Sequence, residues 1–182
     1  MSYSTTGWDY RLPEFINLVP KISSLIYFGC GNMNLRSYLH PDINYQPVDL
    51  ISRSRDTIVL DANADNWSLK IPKKHDILAA IGVLEYLHDC DNFFSNASKC
   101  ADQILITYHF SHSMFNVENK QDALDMRLNN GWLSNFSLSD VLNSIEANNC
   151  SMLNFHSFPI KRHYQEIAFL IASAKSNHGI TS

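Results

Sequence analysis

Residues Ser24-Leu25-Ile26-Tyr27-Phe28-Gly29-Cys30-Gly31-Asn32 decide how this chain is read. An apolar run breaks into two glycines one residue apart. A second apolar run ends at Val48-Asp49, which places a carboxylate twenty positions beyond Gly29. A strand, a glycine turn, a helix and a second strand ending in an acid is the arrangement by which α/β proteins bind a nucleoside. The glycines let the backbone approach the ligand, and the acid accepts hydrogen bonds from two ribose hydroxyls. The stretch predicts an adenosine-containing cofactor.

Outward from it, strands and helices alternate. Leu12 to Val19 is a short amphipathic helix stopped by Pro20, and Leu25 to Phe28 is a buried strand without alternation. A brief helix at Asn34 to Leu39 ends at His40-Pro41. Strands follow at Tyr45 to Val48, Asp56 to Asp61 and Asp76 to Ile81. Asp91 to Cys100 is a helix and Gln103 to Tyr108 a fifth strand. Ser137, with Asp140 three residues on, starts another helix through a variant capping box. Strands at Ser151 to Phe155 and Ile167 to Ala172 close the pattern, with only the loop Pro159 to Gln165 between them. A parallel connection needs about a dozen residues or more, so this pair is expected to be antiparallel. The expectation is an α/β fold: a Rossmann-like, seven-stranded, mostly parallel sheet with an antiparallel C-terminal pair and helices on both faces.

Composition narrows the function classes. The chain of 182 residues is long enough for one sizeable core, and 45% hydrophobic content is ordinary for a globular domain. Residues 1–182 are therefore expected to form one domain, with residues 1–20 as an N-terminal helical segment. A formal charge of −4 gives no electrostatic case for nucleic acid. Lys70, Lys73 and Lys74 flank Pro72 and read as a solvated connector. No apolar run approaches the ~20 residues of a membrane span, and the polar start lacks a signal-like stretch. Cys30, Cys90, Cys100 and Cys150 are scattered without a Cys-x-x-Cys pair, which points to a reducing cytoplasm.

Several pieces in order resemble the class I S-adenosylmethionine-dependent methyltransferases, small single-domain bacterial members in particular. Ile26-Tyr27-Phe28-Gly29-Cys30-Gly31 is similar to that family's first motif and Pro47-Val48-Asp49-Leu50 to its acidic second. Leu60-Asp61-Ala62-Asn63-Ala64-Asp65 resembles the adenine-side segment. The run from Asp76 to Leu87 is similar to the fourth strand and its turn, and Gly131-Trp132-Leu133 precedes a capped helix as in small members. The resemblance spans about Leu25 to Ala172. It implies S-adenosylmethionine as cofactor, with Gly29 and Gly31 under the methionine and ribose and Asp49 on the ribose hydroxyls. It also implies Asp61 and the Ala62 backbone at the adenine, and the backbone at Ile81 and Gly82 at the methionine amine. The sequence departs from the family pattern at Tyr27, where an acid is usual, and at Met33, where a third glycine is usual.

Methyl transfer from a sulfonium needs alignment and exclusion of water, and an oxygen nucleophile also needs a base. His109, directly after the predicted fifth strand, is the candidate base, against the alternative of a solvated loop histidine. His88 is a second candidate, and Glu85-Tyr86 either begin a helix or line the site. His109 and His112 stand at i, i+3, but spacing supplies no third ligand and no metal is expected. Residues 111–135, which contain Phe115 and Trp132, are expected to form a lid or substrate loop. Trp8, Tyr10 and Arg11 either close the same mouth or pack on the sheet edge. By elimination, the acceptor is a small molecule or a sugar- or lipid-linked precursor, and the sequence does not specify an oligomeric state. Two other classes share parts of the signal. A non-catalytic methyltransferase-like scaffold would tolerate Tyr27 and Met33. A NAD-dependent oxidoreductase would share the glycine turn and the distant acid, but Asn34 stands at its third glycine position.

Overall fold

A computed structural model describes residues 12–19, 21–110, 125, 127–158 and 165–173. Seven strands form one sheet in the order β3-β2-β1-β4-β5-β7-β6. They are β1 (Ser24–Phe28), β2 (Asn44–Asp49), β3 (Ile58–Val59), β4 (His75–Ala80), β5 (Ala101–Phe110), β6 (Ser151–Ser157) and β7 (Gln165–Ala172). The first five pair in parallel, and β7 runs antiparallel to both β5 and β6. The antiparallel end is as expected from the short loop between the last two strands, and β7 occupies the inner place of the two.

Alternation along β1 builds two cores. Ile26 and Phe28 face α2 (Cys90–Cys100) and α3 (Leu138–Ala147), whereas Leu25 and Tyr27 face α1 (Leu12–Leu18). On the first face Phe28, Trp67 and Phe93 make a ring cluster with centroids 4.8 to 5.9 Å apart. Phe93 and Phe94 of α2 are fully buried, each a gain of about 1.5–3 kcal/mol from removal of its side chain from water. Helix α2 starts where the Asp89 carboxylate accepts the amides of Asp91 and Asn92 at 2.8 and 3.2 Å. Helix α3 carries the expected reciprocal cap: Asp140 N–H donates to Ser137 Oγ and Ser137 N–H to Asp140 Oδ2.

Most boundaries shift by one or two residues, and three elements depart in kind or length from the sequence-based expectation. The third strand is only Ile58–Val59. Asp61 is drawn into a turn, its carboxylate taking the Asn63 amide, and Ser54 and Thr57 bond to one another on the other side. The link from β1 to β2 is a five-residue 3-10 helix, Asn34–Tyr38. The fifth strand does not stop at Tyr108: it continues through Phe110, because Phe110 and His109 pair with Gln165 and Glu166 of β7. The expectations for Trp8, Tyr10, Arg11, His112 and Phe115 lie outside the described residues. Among the described residues no helix is long and apolar enough to cross a membrane.

Candidate active site

The glycine turn sits where β1 ends against the ends of β2 and β4. Gly29 has φ +68°, and a Cβ there would stand 2.6 Å from Cγ2 of Val83, so both conformation and space require glycine. Met33, in place of the usual third glycine, holds the left-handed conformation itself (φ 59°) and starts the Asn34–Tyr38 helix. Its side chain packs against the core on the α1 side. The turn thus keeps its shape at a non-glycine residue. Tyr27, in place of the usual acid, is buried against the same core, with its ring 6.3 Å from that of Tyr45.

Asp49 closes β2 and is buried. Its Oδ2 accepts the Gly31 amide at 2.9 Å and lies 3.5 Å from Nε of Arg53, while Oδ1 accepts the Ile51 amide at 3.2 Å. The structure therefore joins the two sequence signals, the turn and the distant acid, by a direct bond. Burial, and then the adjacent Asp49 charge, push the Cys30 thiol up to about 11, so it is a neutral donor and no nucleophile. Beyond Asp49, Leu50 and Ile51 expose 65% and 53% of their surface, an apolar ledge next to a buried carboxylate.

Asp61 is exposed, and Ala62 is half-buried against the core. Sequence reading passed over Asn63, which clamps two loops: its amide nitrogen donates to Tyr86 O at 3.0 Å and its oxygen accepts the His88 amide at 2.8 Å. Ile81 and Gly82 follow β4, and Gly82 N–H donates to Thr107 Oγ1 of β5 at 2.9 Å. A trans peptide sends its carbonyl the opposite way, so the Ile81 C=O is directed to the β1 side, where the glycine turn lies.

His109 is no solvated loop residue. It is buried in β5, with Nδ1 at 2.5 Å from Glu85 Oε1 and Nε2 at 3.4 Å from Glu166 Oε2. Its ring stacks on Trp132 at 5.0 Å. Glu85 belongs to the short turn Leu84–Tyr86 and is also buried, while Tyr86 and His88 are exposed. Within residues 111–135, the described part mixes buried and exposed positions, with Leu128 and Leu133 exposed. Residues 127–129 are helical, Gly131 turns the chain at φ +70°, and Arg127, Trp132 and Ser134 are buried. Arg127 donates to His109 O and Tyr108 Oη at 2.7 Å each and to Ser134 O at 2.8 Å. The sequence offered no signal for Arg127 or Glu166: the pairing of β7 with β5 brings Glu166 to His109, and Arg127 arrives from the stretch before Gly131 through its own bonds to His109 O and Tyr108 Oη. Among the described residues no cluster of His, Cys, Asp and Glu is arranged to hold a metal ion.

No protein-family model matches the chain, and no curated protein matches it in sequence. Solved structures do match. Geranyl diphosphate C-methyltransferase from Streptomyces coelicolor A3(2) superposes with a TM-score of 0.72 at 9% identity, covering 91% of this chain and 80% of that one. The N-terminal domain of EvdMO1 with S-adenosylhomocysteine bound gives 0.60 at 12% identity, over 90% of this chain and 80% of that one. The [4+2]-cyclase SpnF gives 0.64 at 11% identity, over 91% and 80%. The chain has the class I methyltransferase fold, as its motifs implied, and the cyclase is a reminder that fold and chemistry are separate questions.

Proposed function

We propose that the protein is an S-adenosylmethionine-dependent methyltransferase acting on a small molecule or a sugar- or lipid-linked precursor. One observation carries this reading: the buried Asp49 carboxylate bonds the Gly31 amide at adjoining strand ends, beside the exposed Leu50 and Ile51. Open parallel sheets bind ligands at such ends. The residues fit the cofactor. Oδ1 of Asp49 receives only the Ile51 amide among the described residues, which leaves acceptor capacity for ribose hydroxyls. Leu50 and Ile51 would give an apolar surface for a purine, with Asp61 and Ala62 to meet its exocyclic amine. Gly29 and Gly31 would underlie the ribose and methionine, and the carbonyls at Ile81 and Gly82 would take the ammonium. That methyltransferases solved with S-adenosylhomocysteine or S-adenosylmethionine share this fold supports the choice.

The cofactor supplies the electrophilic methyl group. The chain's own task is to align the acceptor and keep the site dry. Where the acceptor is a hydroxyl, His109 is the proton acceptor in this reading. Glu85 on Nδ1 fixes the tautomer and leaves Nε2, next to Glu166, as the exchanging atom. The turn formed by Met33 weighs against a scaffold that has lost its ligand, because the backbone keeps the glycine conformation.

Calorimetric titration tests the assignment. Saturable heat with S-adenosylmethionine and with S-adenosylhomocysteine, and none with NAD, is expected. Binding of NAD alone would favour the oxidoreductase, and silence with all three would return the chain to the scaffold class.

A further inference from the structure

The Glu85 carboxylate is 1% exposed, yet it sits in a three-residue turn where an apolar side chain would be easier to bury. Its Oε1 accepts both the backbone amide and Nδ1 of His109, at 3.0 and 2.5 Å. Among the described residues its Oε2 has no hydrogen-bond partner. Its own carbonyl accepts the amides of Leu133 and Ser134 at 2.7 and 3.0 Å. Ser134 Oγ in turn donates to Leu84 O at 2.7 Å. Two residues before Glu85, Val83 presses on Gly29 of the cofactor turn, and one residue after it, Tyr86 O takes the Asn63 side chain. The turn after β4 is therefore bonded to the β5 end, to the 127–134 stretch and to the loop after β3, while it also packs on the glycine turn. A buried carboxyl group with one oxygen unpartnered among the described residues is expensive, and such a group persists where it fixes its surroundings.

We propose that Glu85 is a positioning residue: it sets the turn after β4, and through Val83 and Gly82 the wall against which the cofactor lies, without touching the cofactor. The proposal rests on the methyltransferase reading for the identity of the ligand, not for the mechanics of the turn.

Two measurements on the full-length protein separate these. In ligand-free amide exchange, E85A speeds exchange at Gly29–Asn32 and at residues 131–134 by about tenfold or more, as local opening becomes easier. In calorimetry, E85A weakens S-adenosylhomocysteine by about tenfold or more, while the isosteric E85Q, which keeps an acceptor oxygen for His109, stays within about threefold of the parent. A folded E85A with parental exchange and parental affinity overturns the proposal, and so does an E85Q as weak as E85A. Should E85A not fold, E85D, one methylene shorter, carries the same comparison. A parent protein that binds no S-adenosylhomocysteine defeats the cofactor assignment alone, and the exchange experiment then decides the role of Glu85.

Discussion

Gly29 and Val83 meet so closely that a single added carbon on the glycine would lie 2.6 Å from Cγ2 of the valine. The contact joins the end of β1 to the turn after β4 with no hydrogen bond. G29A should therefore suffer twice, from a left-handed backbone and from overlap with a stiff β-branched side chain, at a cost of about 1–3 kcal/mol. Urea denaturation of G29A, V83A and the double variant separates the two causes. V83A in the G29A background should recover the overlap and leave the backbone penalty. Full additivity would show that the contact carries no energy.

Asp49 has two duties, holding the Gly31 amide and, in the proposed function, the ribose. D49A should weaken S-adenosylhomocysteine by at least several-fold, in line with charge-assisted bonds of about 1.5–3 kcal/mol. D49N retains an acceptor for Gly31 and should keep the parent's thermal stability more closely than D49A while still losing affinity. Equal affinity of parent and both variants in calorimetry would remove Asp49 from the ribose.

His75 opens β4 with both ring nitrogens buried and, among the described residues, without a hydrogen-bond partner. Burial, helped by the Lys73 charge and opposed by Asp76, lowers its pKa from the ordinary 6.5. The folded state thus resists protonation that the unfolded chain accepts. Stability is unaffected above the unfolded value and falls as pH drops from about 6.5 towards the lowered folded value. H75L should flatten that limb of a stability-against-pH curve below about pH 6.5. An unchanged slope would place the acid sensitivity elsewhere.

Asp76, the next residue, has the opposite sign. Burial pushes its carboxyl up, but bonds from Ser23 N, Ser23 Oγ and Ser24 N to Oδ2, at 2.6 to 2.9 Å, outweigh it and the net shift is downward from 3.8. Its contribution is present above pH 3.8 and is lost as pH falls through the lower folded value. D76N should lower the melting temperature at pH 7 and have a smaller effect at a pH low enough to protonate the parent's acid in the folded state. The same loss at both values would mean that the hydrogen-bond geometry, not the charge, holds the start of β1.

The parts of the fold legible in the sequence are those with a local cause. Apolar runs marked β1, β4 and β5, Ser137 and Asp140 announced the start of α3, and the short loop before Gln165 required antiparallel strands. Gly29 and Asp49 were readable as a pair because strand and turn lengths bring them together. Asp61 illustrates the opposite case, since acids bracketing Thr57 to Leu60 read as a strand while turn bonding left only two residues paired. His109 was found for its place after an apolar strand, but its environment is a product of tertiary pairing. Glu85, the stretch holding Arg127 and Trp132, and Glu166 come from three separate segments. No spacing rule connects them, because strand register and the buried Arg127 bonds do so only in the folded chain.

The inner place of β7 bears on how the protein is made. As residues emerge in order, β5 is complete while its outer edge is bare, and β6 follows with no neighbour to pair with. Both wait for Gln165–Ala172, whose arrival gives the two strands their shared partner and brings Glu166 to His109 in one step. Until then an apolar strand edge is open to any passing chain, a natural point for a chaperone to intervene during synthesis. The last strand to appear finishes the sheet and the candidate catalytic cluster together.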